Sequence, residues 1–384
     1  VRPLSYKITP DCVGDTVTFS LSRPRNLSVE VNGDIFHNLH LFANPIDKFR
    51  PSDKEIQRAL KKKKGSNLIY FGPGVHNLPN DTLFVPSGTT VYIDGGARVY
   101  GNIFTEGAHD VNIFGRGEVH PDGRGAGVWV RRSKNVRIDG IVVSQLPIGQ
   151  CDSVELTNVK SISYYGWGDG MDVFSSSNVI LDGVFCRNSD DCAAVYASTQ
   201  GFKGGSNNVL VKNATLWADV AHPINIGGHG DPNGMDTVQN VTFRNIDILD
   251  QAEKQIDYQG CLAINPGDNT LVRNITFENI RIEDFRNGQL VNFRISFNPK
   301  YCVSTGRGIQ NVLVKDVTYN GSGENLSIIA GYDENHKISG IRFVNLVVNG
   351  RKITDDMPGK PKWYKTGDMA GIFVGEHVEN LSFE

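Results

Sequence analysis

At 384 residues the chain is roughly two to three times the usual single-domain length, which predicts one large domain with a small one, or an elongated repeat fold. Hydrophobic residues at 39% and charged residues at 21% are ordinary for a globular protein, and 42 glycines mark a turn-rich chain, so disorder and collagen are excluded. Lys and Arg (39) nearly balance Asp and Glu (42), so a formal charge of −3 leaves no global field for nucleic acid or an anionic membrane, and no apolar run approaches the ~20 residues that span a bilayer.

The first 64 residues carry no repeat. Val17-Thr-Phe-Ser-Leu21 and Leu27-Ser-Val-Glu-Val31, the latter followed by Asn32-Gly33, read as antiparallel hairpin strands of a small β-sandwich-like cap over 1–64. The four lysines from Lys61 to Lys64 read as a solvated loop. Six cysteines without Cys-x-x-Cys spacing predict no disulfide scaffold.

From about residue 65 onward a unit recurs. Asn135-Val-Arg-Ile-Asp139, Asn178-Val-Ile-Leu-Asp182, Asn208-Val-Leu-Val-Lys-Asn213, Asn240-Val-Thr-Phe-Arg-Asn245, Asn274-Ile-Thr-Phe-Glu-Asn279 and Asn311-Val-Leu-Val-Lys-Asp316 share an Asn, an alternating apolar strand and a closing Asp or Asn. Short strands broken by Asn, Asp and Gly at one-coil intervals predict an all-β fold, a right-handed parallel β-helix over 65–384, because no single coil can bury its inner face alone. The Asn-x-Ser/Thr sites, such as Asn213-Ala-Thr215, fall in these anchors and read as asparagine turns rather than glycan acceptors.

Segments between anchors form the turns and one exposed face of such a solenoid, so their charged residues carry the functional signal. Asp169, Asp190, Asp191, His229 and Arg294 all fall there. Asp169 and Asp190 are 21 residues apart, about one coil, which would set carboxylates on adjacent rungs ~4.8 Å apart. Crowded carboxylates raise one proton affinity while another stays ionised, and that split suits glycosidic hydrolysis, in which one acid protonates the leaving oxygen and one base activates water. Taken alone, Asp190-Asp191 beside Asn188-Ser189 reads as a turn, and His229 between glycines as a loop histidine; Asp169 one coil earlier is what tips the balance. Asp172 reads as a turn or supporting group, and Arg294, between Phe293 and Ile295, as outward and cleft-facing. Tyr164, Tyr165, Trp167, Trp217 and His222 could form a sugar-stacking platform, although aromatics in a solenoid more often stack in its core. No grouping has zinc-ligand spacing.

Asp169-Gly170, then Asp190-Asp191-Cys192, Gly228-His229-Gly230 and Arg294-Ile295 in this order resembles the polygalacturonase family of glycoside hydrolases, whose motifs are Asn-Thr-Asp-Gly, Gly/Gln-Asp-Asp, Gly-His-Gly and Arg-Ile-Lys. The resemblance implies Asp190 as general acid, Asp169 and Asp191 holding and activating the water, His229 supporting the acid's ionisation, and Arg294 binding substrate. Of the substrate-binding set, only Arg294 comes from the resemblance; Trp167, Tyr165 and His222 come from the aromatic-platform reading. The resemblance further implies inversion without metal or cofactor, a polysaccharide or oligosaccharide substrate, and a secreted or periplasmic protein. Three departures bear on the substrate: Trp167-Gly168 stands in place of Asn-Thr, 38 residues separate Asp191 from His229, and Ser296 stands in place of the lysine that would help grip a uronate. Leu216-Trp-Ala-Asp-Val-Ala-His-Pro-Ile-Asn225 also resembles, more loosely, the dextranase and isopullulanase family, which acts on neutral α-glucans. A non-catalytic carbohydrate-binding solenoid is disfavoured because a purely structural coil has no reason to crowd carboxylates, and pectate-lyase chemistry because no lysine lies close to Asp169, Asp190 or Asp191 in sequence.

Overall fold

The computed structural model describes all residues except 62–64, 122 and 323, with Glu324 in its backbone only. Of the lysine run, Lys62 to Lys64 therefore lie outside the described residues. The chain divides into two compact units, Val1–Arg50 and Pro51–Glu384. No described helix is long and apolar enough to cross a membrane.

In the first unit the two expected strands do not pair with each other. Thr16–Thr18 pairs back with Asp11–Val13, and Arg25–Val29 pairs forward with Leu39–Ala43, both antiparallel. The turn at Asp15 is tighter than any return from Leu21, and the loop after Val29, rather than Asn32-Gly33 alone, reverses the second hairpin.

The second unit opens with the helix Asp53–Leu60, started by a capping box between Ser52 and Glu55. It continues as a right-handed parallel β-helix whose first strand is Leu68–Phe71. The recurring anchors stack in register, so Val136, Val154, Val179, Val209, Val241, Ile275, Val312, Ile341 and Leu381 form one column. Two residues on, Ile138, Leu156, Leu181, Val211, Phe243, Phe277, Val314, Phe343 and Phe383 form the next. Nearly all of these side chains are fully buried, and Phe243 and Phe277 stack 5.9 Å apart. Period-2 alternation places both columns on the inner face of every coil.

The anchor asparagines have a physical reason to recur. Asn178, Asn208, Asn240, Asn274 and Asn311 all sit near φ +56, the left-handed region that asparagine tolerates better than other residues with a Cβ. Their amides bond from rung to rung, Asn208 Nδ2 to Asn178 Oδ1 at 2.7 Å and Asn274 Nδ2 to Asn240 Oδ1 at 3.1 Å. Asn213, Asn245 and Asn279 form a second ladder. These side chains serve as turn and ladder groups, as the sequence reading expects.

Candidate active site

Three consecutive coils build the site. Met171–Phe174 pairs in parallel with Ala193–Tyr196, which pairs with Ile224–Ile226. Because Met171 aligns with Ala193 and Ala193 with Ile224, the residues two positions earlier also follow one another: Asp169, Asp191 and His222. Backbone bonds from Gly170 N to Asp191 O (2.7 Å) and from Cys192 N to His222 O (2.8 Å) continue the ladder into these turns. Asp169 is thus in register with Asp191, not with Asp190 as the 21-residue spacing suggests, because the rung here is 22 residues. Asp190 stands one residue earlier, beside both.

One carboxylate oxygen each of Asp169, Asp190 and Asp191 lies within 4.8 Å of the other two. Glycines permit this approach: a Cβ on Gly170 would sit 2.2 Å from the Cys192 carbonyl oxygen. The loop bearing Asp169 is pinned from behind by buried Asn188, whose Nδ2 donates to Ser161 Oγ (3.0 Å), Ser163 Oγ (3.0 Å) and the Asp169 carbonyl (3.2 Å). The site's acids come from loops, but a fully buried polar network holds the loops.

The three acids differ in environment. Burial, then the charge of Asp191, pushes Asp169 up to about 7; burial, then Asp191 and Asp169, pushes Asp190 up to about 8. Burial also works against ionised Asp191, but His222, Asn225 and Tyr196 overcome it and hold that carboxyl below its ordinary value. Asp191 Oδ1 accepts from His222 N (3.0 Å) and lies 2.7 Å from His222 Nδ1, while Oδ2 accepts from Tyr196 Oη (2.5 Å), Asn225 Nδ2 (2.8 Å) and Tyr258 Oη (3.4 Å). Asp172 is buried in the strand itself, its Oδ1 without a hydrogen-bond partner, and burial followed by the charges of Asp169, Asp191 and Asp190 raises it well above the carboxylate range. The same three acids are the described group close enough to share a metal ion. An acidic cluster alone does not make a metal site, and here the raised affinities favour protons.

His222, rather than His229, is the histidine bonded to Asp191. His222, expected at a sugar-stacking surface, is fully buried and its imidazole faces Asp191. His229, expected beside the acid, is half-buried, packs edge-on against the Tyr196 ring at 5.0 Å, and is held low in proton affinity chiefly by burial. The reason is register: His222 falls on the Asp191 column, whereas His229 follows the strand Ile224–Ile226 on its far side. Trp217 is likewise fully buried, with the Arg187 guanidinium 4.1 Å from its ring centre, and cannot stack on a sugar. Trp167 and Tyr164 remain available at 68% and 87% exposure, and Tyr165 Oη bonds to the Gly125 carbonyl.

Arg294 is part-exposed, and its guanidinium pairs with Asp257. Asp257, Tyr258, Ser296, Asn298, Tyr301 and His229 line a small recess beside the acids, with the Tyr258 and Tyr301 rings stacked at 4.9 Å. Lys300 bonds to Gln255 Oε1 at 3.0 Å and sits 4.8 Å from the Tyr301 ring centre, near enough to Asp190 to feel its charge. Tyr196, Asn225, Tyr258 and Asn188 are site residues that the sequence reading missed. Asn225 aligns with Ala194 and Asp172 in one column, a register that only the structure reveals.

The profile of Glycosyl hydrolases family 28 matches residues 128–357, more than half of the chain and a span that includes all three acids. A polygalacturonase of Juniperus ashei is 26% identical over 295 residues, covering 68% of this chain and 54% of that protein. An exopolygalacturonase of Cochliobolus carbonum is 24% identical over 246 residues, covering 55% and 52%. The chain therefore spans about half the length of the curated relatives it matches. Among solved structures, the family 28 exopolygalacturonase of Yersinia enterocolitica superposes with a TM-score of 0.64 at 14% identity over 90% of this chain and 79% of that one. Dex49A from Penicillium minioluteum gives 0.63 at 14% identity over 99% and 78%. These likenesses establish the fold, and the profile match establishes the lineage: the chain belongs to glycosyl hydrolases family 28.

Proposed function

We propose that this chain hydrolyses O-glycosidic bonds of a pectic polysaccharide. The observation that carries the reading is three carboxyls within 4.8 Å whose proton affinities are split, two raised and one lowered. Asp190, protonated near neutral pH, gives its proton to the leaving oxygen, and an ionised partner takes a proton from the attacking water. The named relatives act on polygalacturonate, which supports a uronate-containing polymer. Membership of the family supports a secreted or periplasmic location.

Reducing-sugar release from polygalacturonate, xylogalacturonan and dextran tests the activity, with Asp190→Asn as control. Proton NMR of the first product gives the stereochemistry. Inversion is expected from the family resemblance. Product with retained configuration would overturn the single-displacement reading.

A mixed or neutral sugar at the cleavage point is a second reading, favoured by Ser296 and by the pairing of Arg294 with Asp257. Ser296 lines the recess beside the acids, where a lysine would add a charged hydrogen bond to a uronate. Ser296→Lys is expected to shift kcat/KM toward polygalacturonate by ~1–3 kcal/mol, or about 5–150-fold. If the unaltered chain already prefers polygalacturonate and Ser296→Lys adds nothing, Lys300 is the cation to remove next; Lys254 is exposed.

A further inference from the structure

We propose that the loop 354–365, towards the C-terminal end of the solenoid, is a second polysaccharide-binding site, in which Trp363 and Tyr364 stack on sugar rings while Lys362 and Lys365 pair with uronate carboxylates. The inference rests on the hydrolase reading above for the identity of the polymer. The loop follows Arg351–Ile353 and leads, through the short helix Thr366–Ala370, into the strand Ile372–Val374. It thus belongs to the series of turns that carries Asp169, Asp190, Asp191 and His222, each of which leads into a strand of the same parallel stack. Ile372–Val374 lies five rungs beyond Ala193–Tyr196, about 24 Å along the solenoid at ~4.8 Å per rung. A polymer spans that distance and a disaccharide does not.

Both ends of the loop are fixed. Met357 and Thr366 are buried, and the Asp355 carboxylate accepts from Thr366 Oγ1 (2.5 Å) and Phe383 N (3.0 Å). Between them, Tyr364 N donates to the Pro361 carbonyl at 3.0 Å and Lys360 Nζ to the Tyr364 carbonyl at 3.2 Å. With Pro358 and Pro361 restricting the backbone, the segment gives up little conformational freedom on binding. Trp363 is nevertheless 82% exposed and Tyr364 46%, their rings set edge to face with centres 6.4 Å apart. Rigidly held, open ring faces are what a pyranose needs, since its C–H face lies flat on an aromatic ring while its hydroxyls stay in water. The other outward aromatic column differs. Phe84, Phe104 and Trp129 stack on one another at 5.3 and 6.4 Å, and the Arg131 guanidinium lies 4.5 Å from the Phe104 ring centre, so those faces are already covered.

Charge selects the class of sugar. Lys362 and Lys365 are exposed and flank the two rings in sequence, and among the described residues neither forms an ion pair. The nearby acids are engaged elsewhere: Asp356 accepts from Thr354 Oγ1 and Asp368 from Lys365 N, both at 2.8 Å. Two cations without an internal partner, beside open stacking faces, suit an anionic polysaccharide rather than a neutral one. A polymer held both here and at the acids leaves more slowly than one held at either place alone. Aromatic rings with lysines can also take single-stranded nucleic acid, but the turn series shared with the acids favours the polysaccharide.

The test measures retardation of the full chain in native gels that contain polygalacturonate, dextran or single-stranded DNA, relative to gels without polymer, on an Asp190→Asn background so that the polymer is not cut. Trp363→Ala is expected to weaken retention by polygalacturonate at least ~5-fold, because one of two holding points on the polymer is lost. Lys362→Ala combined with Lys365→Ala should weaken it by a similar factor and make it less sensitive to salt, since fewer exposed charges remain to be screened. Retention by dextran should change in neither variant, and melting temperatures should match the parent because all three side chains are exposed. Unchanged retention of Trp363→Ala by polygalacturonate overturns the proposal, as does stronger retention of the parent by DNA than by polygalacturonate. A shift in oligomeric state on sedimentation of Trp363→Ala overturns it too, by making the patch a contact between copies. Reducing-sugar release by the unaltered chain is scored separately. A chain that cuts none of the polymers yet loses retention on Trp363→Ala defeats the hydrolase reading and leaves the binding site standing.

Discussion

Asp190→Asn should lower kcat/KM on the best substrate by at least ~10²–10⁴-fold, the span usual for a general acid or base, with no loss of thermal stability near neutral pH. The activity falls because an amide has no proton to give the leaving oxygen. Stability holds because of the sign of the linkage. The Asp190 carboxyl is raised in the folded chain, so between its unfolded and folded values the native state binds more protons than the unfolded state. Native stability therefore declines as pH rises toward about 8, and a neutral Asn escapes that decline. Melting temperatures measured from pH 5 to 8 should show the variant gaining on the unaltered chain as pH increases. Turnover within tenfold of normal in a folded variant would falsify the acid assignment. The unaltered enzyme should also keep its alkaline limb well above the ordinary carboxylate range, since its acid stays protonated to higher pH.

How much of this was legible beforehand depends on which interactions are periodic. The solenoid was, because each coil repeats one demand: a left-handed asparagine, then alternating inward side chains, as from Asn178 through Val179 and Leu181. The three acids were also legible, because they fall about one coil apart in turn segments. What hid the rest was variable turn length. Ala193 to Ile224 spans 31 residues where Met171 to Ala193 spans 22, so a histidine's place on the acid column cannot be counted from the anchors. His222 lies two residues before its strand, as Asp191 does, and strand register is what reveals it. Tyr258 reaches Asp191 across 67 residues from a short 3-10 turn, Ile256–Tyr258, with no local pattern to announce it. The first unit misled for a related reason. Val17 and Leu27 look alike as strand sequence, yet Val17 pairs with the nearer Cys12, because a short loop closes a hairpin at lower entropic cost, and that leaves Leu27 to pair forward with Leu41 across a longer loop.

Lys160→Met should stabilise the protein, by more at pH 6 than at pH 9. Lys160 lies in the strand Lys160–Ile162 and is fully buried, its ammonium donating to the Gly140 carbonyl at 3.3 Å. Close by, Arg116 Nη1 already pairs with Asp139 Oδ1 at 2.7 Å, so the lysine adds a second cation near one anion. Burial first, then the Arg116 charge, pushes the Lys160 amine down to about 7, against the partial support of Asp139. For a base lowered on folding, the unfolded chain binds the extra proton between the folded and unfolded values. The penalty is full below about pH 7 and is relieved as pH rises toward the unfolded lysine value. A drop from 10.5 to about 7 corresponds to about 5 kcal/mol at its largest, reduced by the bond lost at the Gly140 carbonyl. Methionine keeps the length of the stem and fills an apolar gap without a charge to desolvate. Urea unfolding at both pH values measures the difference, which should narrow by roughly 2–3 kcal/mol from pH 6 to pH 9. A variant less stable than the parent at pH 6 would show that Asp139 more than offsets the cost of burying the ammonium, and that the lysine is there to complete the ion cluster between adjacent coils.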